Sequence, residues 1–399
     1  MSGETKADIV VIGAGIHGAS VVHSLSRRLP DAQIVVIDLG DAGMGATAAS
    51  AAMLMHQTDD EDLTRLAQLS IERYASWADS GDLKIHFNLT GSILFSTTAT
   101  ASKRLQDHIR YQQALGIPTT EIDGDTVEAL TKGLISRSGI LAASYCESDG
   151  YVVAREVVDG FLGYAIDRGA TFRPRAAASN IVVEDGQVAG VVLENGDTLT
   201  TNCVVNCAGA KAREIGQWAG IELPIKRSHR NMLLLKAARA PLDAFPIVED
   251  LDSGWYFRQH PEGVLMGVGP TNWLDDDDAK LDATYNPQYE EAAIEYLSER
   301  APSLLPFSAI RTWAGSRPML DPVMLKVREG TDGHPIVGGV ADVGGLYLSC
   351  AWGAFGVTLA PIGGELAAQA ICGEKPTVDM APFSWARFAS DRTTRGTDE

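Results

Sequence analysis

Basic residues are scarce in this 399-residue chain: 33 lysines and arginines stand against 52 aspartates and glutamates, which leaves a formal net charge of −19 at pH 7. Nucleic acids and anionic membrane surfaces bind cationic protein surfaces. We therefore expect neither of them as a partner. The acidic run at residues 275–278 indicates a solvated loop rather than a metal site, and we predict no metal site elsewhere.

Cysteine is also scarce, and the five cysteines form neither a CxxC pair nor a zinc-ligand spacing. Cys203 and Cys207 flank a run typical of a buried strand, so we expect unreactive core thiols, no disulfides and a reducing compartment. No apolar run approaches the roughly 20 residues of a membrane span. Residues 2–8 are too polar for a signal peptide, so the expectation is a cytoplasmic protein without a membrane span.

The sequence also lacks the common arrangements of catalytic side chains. The sequence shows no Ser-His-Asp arrangement, no pair of carboxylates placed for acid–base work and no iron–sulfur cysteine pattern. With 45% hydrophobic and 21% charged residues, the composition is that of a globular protein large enough for two domains.

The most informative feature present is a glycine motif near the start of the chain. A β-branched run at residues 9–12 leads into Gly13, Gly15 and Gly18, a helix pattern follows, and a second apolar run ends in Asp38. The glycines permit a tight turn, close approach of a pyrophosphate and close helix–strand packing, and the carboxylate accepts hydrogen bonds from ribose hydroxyls. The motif predicts a dinucleotide site that disfavours NADP, and by itself it leaves FAD and NAD open.

Hydrophobic periodicity predicts the remaining elements. We predict helices over residues 63–78, 101–115, 153–168 and 289–300 and a last helix ending at residue 372, a β-meander over 181–197, and strands within 87–95, 201–210 and 345–350. Residues 45–55 are predicted to form a loop that opens a helix. Segments in which strand and helix patterns alternate are separated along the chain by segments that are mainly strands. We therefore expect a discontinuous dinucleotide-binding domain with a second domain inserted twice.

Five segments, in the same order, resemble the D-amino-acid oxidase-like flavoprotein family, nearest to its glycine oxidase and sarcosine oxidase branch. They are residues 13–18 with Asp38, 47–54, 204–210, 313–318 and 356–361, and the resemblance covers nearly the whole chain. It implies FAD and an α/β plus α+β fold. In that fold, a Rossmann-like FAD-binding domain of the glutathione reductase type carries an inserted substrate domain on a large, mostly antiparallel sheet. We expect the first domain at residues 1–85, 146–220 and 331–399, and the second at 86–145 and 221–330.

The resemblance also implies which residues contact FAD. They are Gly13, Gly15, Ile16, His17, Gly18, Asp38, Leu39, Thr47, Ala48, Ala51, Ala52, Met53, Ala178, Ala208, Gly209, Gly353, Ala354, Phe355, Gly356, Val357 and Thr358. Ala52 stands where the family usually has glycine, and Trp352-Gly353 stands where it commonly has Gly-His. Residues 48–52 lack histidine and residues 319–326 lack cysteine, the positions at which some relatives attach FAD, so we predict non-covalent FAD. The His17 side chain is expected to pack at the surface.

Four side chains are candidates for the substrate site. Arg317, in a predicted Gly-x-Arg-Pro turn, presents a planar fork suited to a carboxylate, and the matching arginine of glycine-oxidase-like members holds the substrate carboxylate. Tyr256 and Arg258 alternate on one face of a predicted strand that, by the resemblance, faces the flavin, and a role in the pocket and a role in the core or at the surface both remain open. His56 follows the flavin-side loop, and both a pocket role and an ordinary polar role remain open.

The resemblance and these residues predict transfer of hydride from the carbon next to an amine onto flavin N5, followed by hydrolysis of the imine. The expected partners are a small amine or amino-acid substrate and O2 or another electron acceptor, with homo- and hetero-oligomers both open. Three alternatives remain: oxidation of a 2-hydroxy acid by FAD, a flavin subunit of a hetero-oligomeric amine dehydrogenase, and a non-catalytic flavin-binding protein.

Overall fold

Two large sheets carry the fold of the computed structural model, which describes residues 4–58, 60–238, 244–273, 285–322, 324–325 and 333–388. The strands within these ranges are, in chain order, β1 (Glu4–Lys6), β2 (Ile9–Ile12), β3 (Ile34–Ile37), β4 (Met53–Leu54), β5 (Phe87–Leu89), β6 (Ser92–Ser96), β7 (Thr119–Ile122), β8 (Ala142–Cys146), β9 (Gly150–Val152), β10 (Thr171–Arg173), β11 (Ala178–Glu184), β12 (Gln187–Leu193), β13 (Thr198–Thr200), β14 (Val204–Asn206), β15 (Ile225–Ala237), β16 (Ile247–Asp250), β17 (Tyr256–His260), β18 (Gly263–Trp273), β19 (Phe307–Leu320), β20 (Ile336–Gly339) and β21 (Leu346–Cys350). The α-helices are α1 (Ile16–Arg28), α2 (Glu61–Ser80), α3 (Ala99–Ala114), α4 (Gly124–Leu130), α5 (Ala154–Ile166), α6 (Ala212–Trp218), α7 (Gln288–Arg300) and α8 (Ala360–Cys372).

The first large sheet has six strands in the order β10-β3-β2-β14-β21-β20, and its neighbours are parallel except for the antiparallel pair β20 and β21. β2 and β3 both read Ile-Val-Val-Ile and are fully buried, as parallel strands covered on both faces require. Ile9 and Val11 pack with residues of α1, α2, α5 and α8. Val10 and Ile12 pack with residues of the four-stranded sheet β1-β13-β12-β11.

The second large sheet has eight strands in the order β19-β15-β18-β17-β16-β6-β8-β7. Among the described strands, β16 and β6 form its one parallel pair. Its first face carries Leu233, Phe257 and Val264, which pack in one core with Leu297 of α7. Its second face lies against the segment that contains β4, since Ala51 packs with Met232 and Leu265 in a separate small cluster.

The predicted fold class is confirmed: a Rossmann-like parallel sheet is combined with a large, mostly antiparallel sheet. The strands of the six-stranded sheet lie within the predicted FAD-binding segments. Those of the eight-stranded sheet lie within the two other segments, except that β8 extends to Cys146. The domain bounds themselves stay a prediction.

Two local predictions are wrong. Residues 45–55 form turns and the short strand β4 rather than the start of a helix, and α2 begins at Glu61, where the Asp60 carboxylate accepts a hydrogen bond from Leu63 N at 2.9 Å. Residues 313–318 do not form a turn but lie within β19. Pro318 is tolerated there because β19 is an edge strand, which pairs on one side only.

All five cysteines carry free thiols. Burial raises the pKa of Cys203 and of Cys350 to about 12, so both stay protonated at neutral pH. No helix in the described part of the chain combines the length and the apolar composition needed to cross a membrane. The acidic run at residues 275–278 lies outside the described residues.

Candidate active site

The glycine turn, residues 13–18, joins β2 to α1 in a way that side chains would obstruct. Gly13 has φ of +104°, and a Cβ there would lie 2.5 Å from Cys207 O. A Cβ at Gly18 would lie 1.8 Å from Gly13 O. Gly15 is the N-cap of α1 and provides no side-chain cap, so the helix begins with backbone N–H groups directed out of the turn. This is the arrangement that binds a pyrophosphate.

Asp38 follows β3 and closes the same corner of the sheet. Its carboxylate accepts hydrogen bonds from Ala14 N at 2.7 Å and from Gly40 N at 2.8 Å. Thr47 Oγ1 accepts a hydrogen bond from Ile16 N at 3.1 Å, which places residues 47–48 at the N-terminus of α1. Leu39, beside Asp38, is largely exposed. The corner therefore combines helix N–H groups with a carboxylate, as an ADP moiety requires.

The predicted residues that lie further along the chain converge on this corner. Ala208 lies against the glycine turn, because its Cα would be 3.0 Å from a Cβ at Gly13, and Gly209 follows it with φ of +55°. Ala178 begins β11, two residues after Ala176, whose N–H donates to Asp38 O at 2.8 Å.

Two segments predicted to lie beside the flavin meet each other near the N-terminal half of α1, where Trp352 stacks on His17. Thr358 Oγ1 donates a hydrogen bond to Met53 O at 2.9 Å. This bond ties the turn at residues 353–358, which precedes α8, to the small-residue loop at residues 47–53. Ala52 in that loop has φ of +52°, a conformation that glycine adopts at lower energy, and its carbonyl accepts a hydrogen bond from Val152 N.

The prediction that the His17 side chain packs at the surface is wrong. Its ring is buried and stacks on Trp352, with 4.0 Å between the ring centroids and 7° between the planes. Both ring nitrogens lack a hydrogen-bond partner among the described residues. Burial lowers the pKa of His17 to about 3, so the ring is neutral in the folded protein.

Arg317, Tyr256 and Arg258 lie on the second face of the eight-stranded sheet, which we call the arginine face. Tyr256 and Arg258 alternate on β17, with Phe257 in the core on the opposite face. Arg317 on β19 pairs in register with Ser228 on β15. The Tyr256 hydroxyl donates to Met232 Sδ at 3.1 Å, so this ring reaches across β18 towards β15.

The arginine face contacts the small-residue loop directly. Arg258 Nε donates to Ala51 O at 2.5 Å, and its guanidinium group lies 4.5 Å above the ring of Tyr151. Trp313 Nε1 on β19 donates to Ala49 O at 3.2 Å. Gly315, two residues along β19, comes so close that a Cβ there would lie 2.4 Å from Ala49 Cβ. The structure thus brings the predicted substrate residues and the predicted flavin loop together.

Burial dominates the electrostatics of the arginine face. Burial, and then the charge of the nearby Arg230, lower the pKa of Arg317 to about 10. Burial raises the pKa of Tyr256 to about 12, so its hydroxyl stays protonated at neutral pH. Arg317 Nε and Ser228 Oγ are buried without a hydrogen-bond partner among the described residues. A buried donor without a partner costs free energy, which an anionic ligand would recover.

The sequence analysis missed Arg230, Met232 and Glu249. Arg230 and Met232 alternate with Ser228 on β15 and so share its face, and Glu249 on β16 pairs in register with Tyr256. The period-two pattern of residues 228–232 could have revealed the first two, had β15 been paired with β19 in advance. No sequence signal connects Glu249 to β17, because the pairing is tertiary.

His56 lies away from the arginine face, in a buried hydrogen-bond network. Asp149 Oδ1 accepts from His56 N at 2.9 Å and lies 2.6 Å from His56 Nδ1, and Asp149 Oδ2 accepts from Ser92 Oγ at 2.6 Å. Cys146 Sγ lies 4.0 Å from His56 Nδ1. The 2.6 Å separation is that of a hydrogen bond between the His56 ring and the Asp149 carboxylate. The structure joins His56 to this network and not to Arg317.

The sequence model of the protein family described as FAD dependent oxidoreductase matches residues 8–370 of this chain. The chain belongs to this family, and it is an oxidoreductase that binds FAD. It is 23% identical over 401 residues to a glycine oxidase of Geobacillus kaustophilus, covering 96% of this chain and 97% of the relative. A glycine oxidase of Pseudomonas putida is 25% identical, with 94% and 97% covered. Among solved structures, L-proline dehydrogenase from P. horikoshii superposes with a TM-score of 0.86 at 23% identity, over 97% of this chain and 99% of that one.

The described residues fit FAD at the glycine turn and at the arginine face. The N-terminus of α1, where Gly15 carries no side chain, and Asp38 suit the pyrophosphate and the ribose, and a Cβ at Gly13 or Gly18 would clash with backbone atoms and distort the turn that holds them. The buried, cationic arginine face behind residues 47–53 suits the flavin end, where an anionic substrate would meet Arg317. The individual contacts with FAD and its non-covalent attachment stay predictions.

Proposed function

We propose that the protein oxidises the C–N bond of an amino acid or a secondary amine of the glycine, sarcosine or D-amino-acid type. The observation that carries this proposal is the buried Nε of Arg317, which has no partner among the described residues on a face that contacts the flavin loop. A guanidinium fork in that position suits a substrate carboxylate. The names of the relatives, glycine oxidase and L-proline dehydrogenase, support an amino-acid substrate.

When bound, the flavin ring supplies a two-electron acceptor at N5. The substrate loses its α-hydrogen with the bonding electron pair, and the nitrogen lone pair forms the C=N bond of an imine. Water then adds to the imine and releases the amine from a carbonyl product. This reaction needs no nucleophile from the protein, because orientation of the C–H bond and exclusion of water are the main requirements.

The residues of this chain supply that orientation. Arg317 holds the carboxylate by two parallel N–H donors, which fixes the α-carbon beneath the small-residue loop. Arg258 and Trp313 hold the loop itself through the carbonyls of Ala51 and Ala49. The Tyr256 hydroxyl, with its pKa raised to about 12, serves as a hydrogen-bond donor and not as a base at neutral pH.

Replacement of Arg317 tests its assignment. Arg317→Ala is expected to raise KM for a carboxylated substrate by roughly 10- to 100-fold, because a charge-assisted hydrogen-bonded pair is lost. Arg317→Lys keeps the positive charge without the planar fork, so its KM should lie between the KM of the unmodified protein and that of Arg317→Ala. Flavin absorbance of the purified variants monitors whether FAD remains bound. An unchanged KM across all amino acids in a variant that retains FAD would contradict the role of Arg317.

A substrate panel tests the reaction class. Under anaerobic conditions, glycine, sarcosine, proline, D-amino acids and other secondary amines are mixed with the protein, and bleaching of the flavin band is recorded. Matched 2-hydroxy acids serve as the control. We expect reduction by at least one amine and by none of the hydroxy acids. Reduction by hydroxy acids alone would overturn the proposal.

A further inference from the structure

Arg258 is a buried cation with no carboxylate partner in the described part of the chain. Its guanidinium group donates to the backbone oxygens of Ala51 at 2.5 Å and Gln259 at 2.7 Å, and lies 4.5 Å above the ring of Tyr151. Burial lowers its pKa to about 10, so the group stays charged at neutral pH. Carbonyl oxygens and an aromatic face attract a cation but carry no net negative charge, so the charge of Arg258 is only partly balanced.

The contacts of Arg258 place this charge against the small-residue loop. Ala51 belongs to the loop, and Tyr151 on β9 pairs in register with Met53 at the end of the loop. On the neighbouring strand β18, the residue in register with Arg258 is Leu265, an uncharged side chain that packs with Ala51. The cation therefore lies between an apolar part of the sheet and the loop that, by the resemblance, borders the flavin.

A substrate carboxylate held by Arg317 does not supply the counter-charge of Arg258. The two arginines stand on β19 and β17, three strand positions apart, which is about 14 Å across the sheet. Arg258 is fixed by its hydrogen bonds to two carbonyl groups, whereas Arg317 Nε has no partner among the described residues. Arg317 is therefore the arginine that is available to a substrate carboxylate, and the counter-charge of Arg258 has to come from another group.

Reduction of the cofactor creates a negative charge of the required kind. A hydride brings two electrons and one proton to a neutral flavin ring, so the reduced ring is an anion until a further proton is added or the electrons leave. A fixed cation in a site that excludes water stabilises charge that develops beside it, because it is already oriented and needs little reorganisation.

We propose that Arg258 is the counter-charge of the reduced flavin and raises the reduction potential of FAD in this protein. The inference goes beyond the proposed function, because it concerns the cofactor and holds whichever substrate delivers the hydride. It assigns different tasks to the two arginines. Arg317 binds the substrate, whereas Arg258 acts on the flavin through its charge, and the two hydrogen bonds to backbone oxygens position its guanidinium group.

Sulfite binding tests the inference without any substrate. Sulfite adds to N5 of the oxidised flavin and leaves a negative charge on the ring, and the loss of the flavin absorbance band gives its Kd. We expect Arg258→Gln to raise this Kd by about 10- to 100-fold, because one nearby charge is lost from a partly buried site. Arg258→Lys keeps the charge without the planar fork and should stay within about threefold of the unmodified protein. Arg311→Gln removes an exposed cation of β19 and is the matched control, which should leave the Kd unchanged.

The midpoint potential of the bound flavin, measured against reference dyes, gives the second readout. A tenfold change in the equilibrium constant of a two-electron couple is about 30 mV, so Arg258→Gln should lower the potential by about 30 to 60 mV. Trp313→Phe loses the hydrogen bond to Ala49 O in the same loop but no charge, and should keep the potential. Arg258→Met provides the same uncharged comparison if Arg258→Gln does not retain FAD.

Equal shifts in Arg258→Gln and Arg258→Lys would overturn the inference, because the hydrogen bonds and not the charge would then set the potential. An unchanged potential and sulfite Kd in Arg258→Gln would overturn it as well. If no amine reduces the flavin while Arg258→Gln still shows both changes, the proposed reaction fails and the role of Arg258 stands.

Discussion

At the scale of single residues, Ala52 shows how one backbone angle identifies a position that favours glycine. Its φ of +52° lies in the left-handed region, which costs a residue with a Cβ about 1 kcal/mol or more. The surrounding contacts hold it there, because its carbonyl accepts from Val152 N and the residue is buried in the main core. Ala52 therefore holds a left-handed backbone conformation that a glycine would adopt at lower energy.

Ala52→Gly should cost less stability than Ala51→Gly. Ala52→Gly removes a buried methyl group but relieves the left-handed conformation, so it is expected to change the free energy of unfolding by less than ~1 kcal/mol. Ala51→Gly removes a buried methyl group that packs with Met232 and Leu265, and should lower it by about 1–2 kcal/mol. Thermal unfolding of both variants checks the pair. A lower melting temperature for Ala52→Gly than for Ala51→Gly would contradict this account.

At the scale of elements, the sequence predicted what depends on local pattern. Helices α2, α3, α5 and α7 were predicted to within a few residues because apolar residues recur with helical period. The turn predicted around Arg317 was wrong because glycine and proline signal a turn locally, whereas pairing of β19 with β15 over their whole length overrides that signal. An edge strand tolerates a proline, whereas a proline in a central strand would remove a hydrogen bond between neighbouring strands.

The junction of β2 and α1 yields a prediction about a single methyl group. Gly18→Ala places a Cβ 1.8 Å from the backbone oxygen of Gly13, which cannot move without opening the turn. We expect a loss of about 3 kcal/mol or more and weakened FAD binding. Gly163→Ala in α5 is the control, since a Cβ there meets nothing within 4 Å and a helix interior favours alanine by up to ~1 kcal/mol. Retention of FAD and melting temperature by Gly18→Ala would refute the close approach.

At the scale of the whole molecule, buried neutral histidines should make the protein sensitive to acid. His17 has a pKa of about 3 when folded and 6.5 as its ordinary value. Between these values the unfolded chain binds a proton that the folded chain does not, so stability falls as pH drops from 6.5 towards 3. Each such histidine contributes about 1.4 kcal/mol per pH unit, and His23, also lowered to about 3 by burial and then by arginines, acts in the same direction.

His17→Phe keeps a ring for stacking on Trp352 and removes one titrating group. Between pH 7.5 and pH 5, this variant should lose about 2 kcal/mol less stability than the unmodified protein. Urea unfolding at the two pH values measures the difference. Parallel losses in the two proteins would show that His17 is not neutral and buried.

The amino-acid sequence by itself determined the glycine turn, Asp38 as its acidic partner, and most helices and strands, because these depend on residues close together in the chain. The resemblance to a known family added the prediction of FAD as the cofactor and of Arg317 as a substrate-binding residue. Only the tertiary structure decided that Arg230 stands beside Arg317, that His56 pairs with Asp149 and that His17 is buried on Trp352. Those contacts join residues brought together by strand pairing and helix packing across the chain, and the sheet register that creates them is set by the packing of the whole molecule.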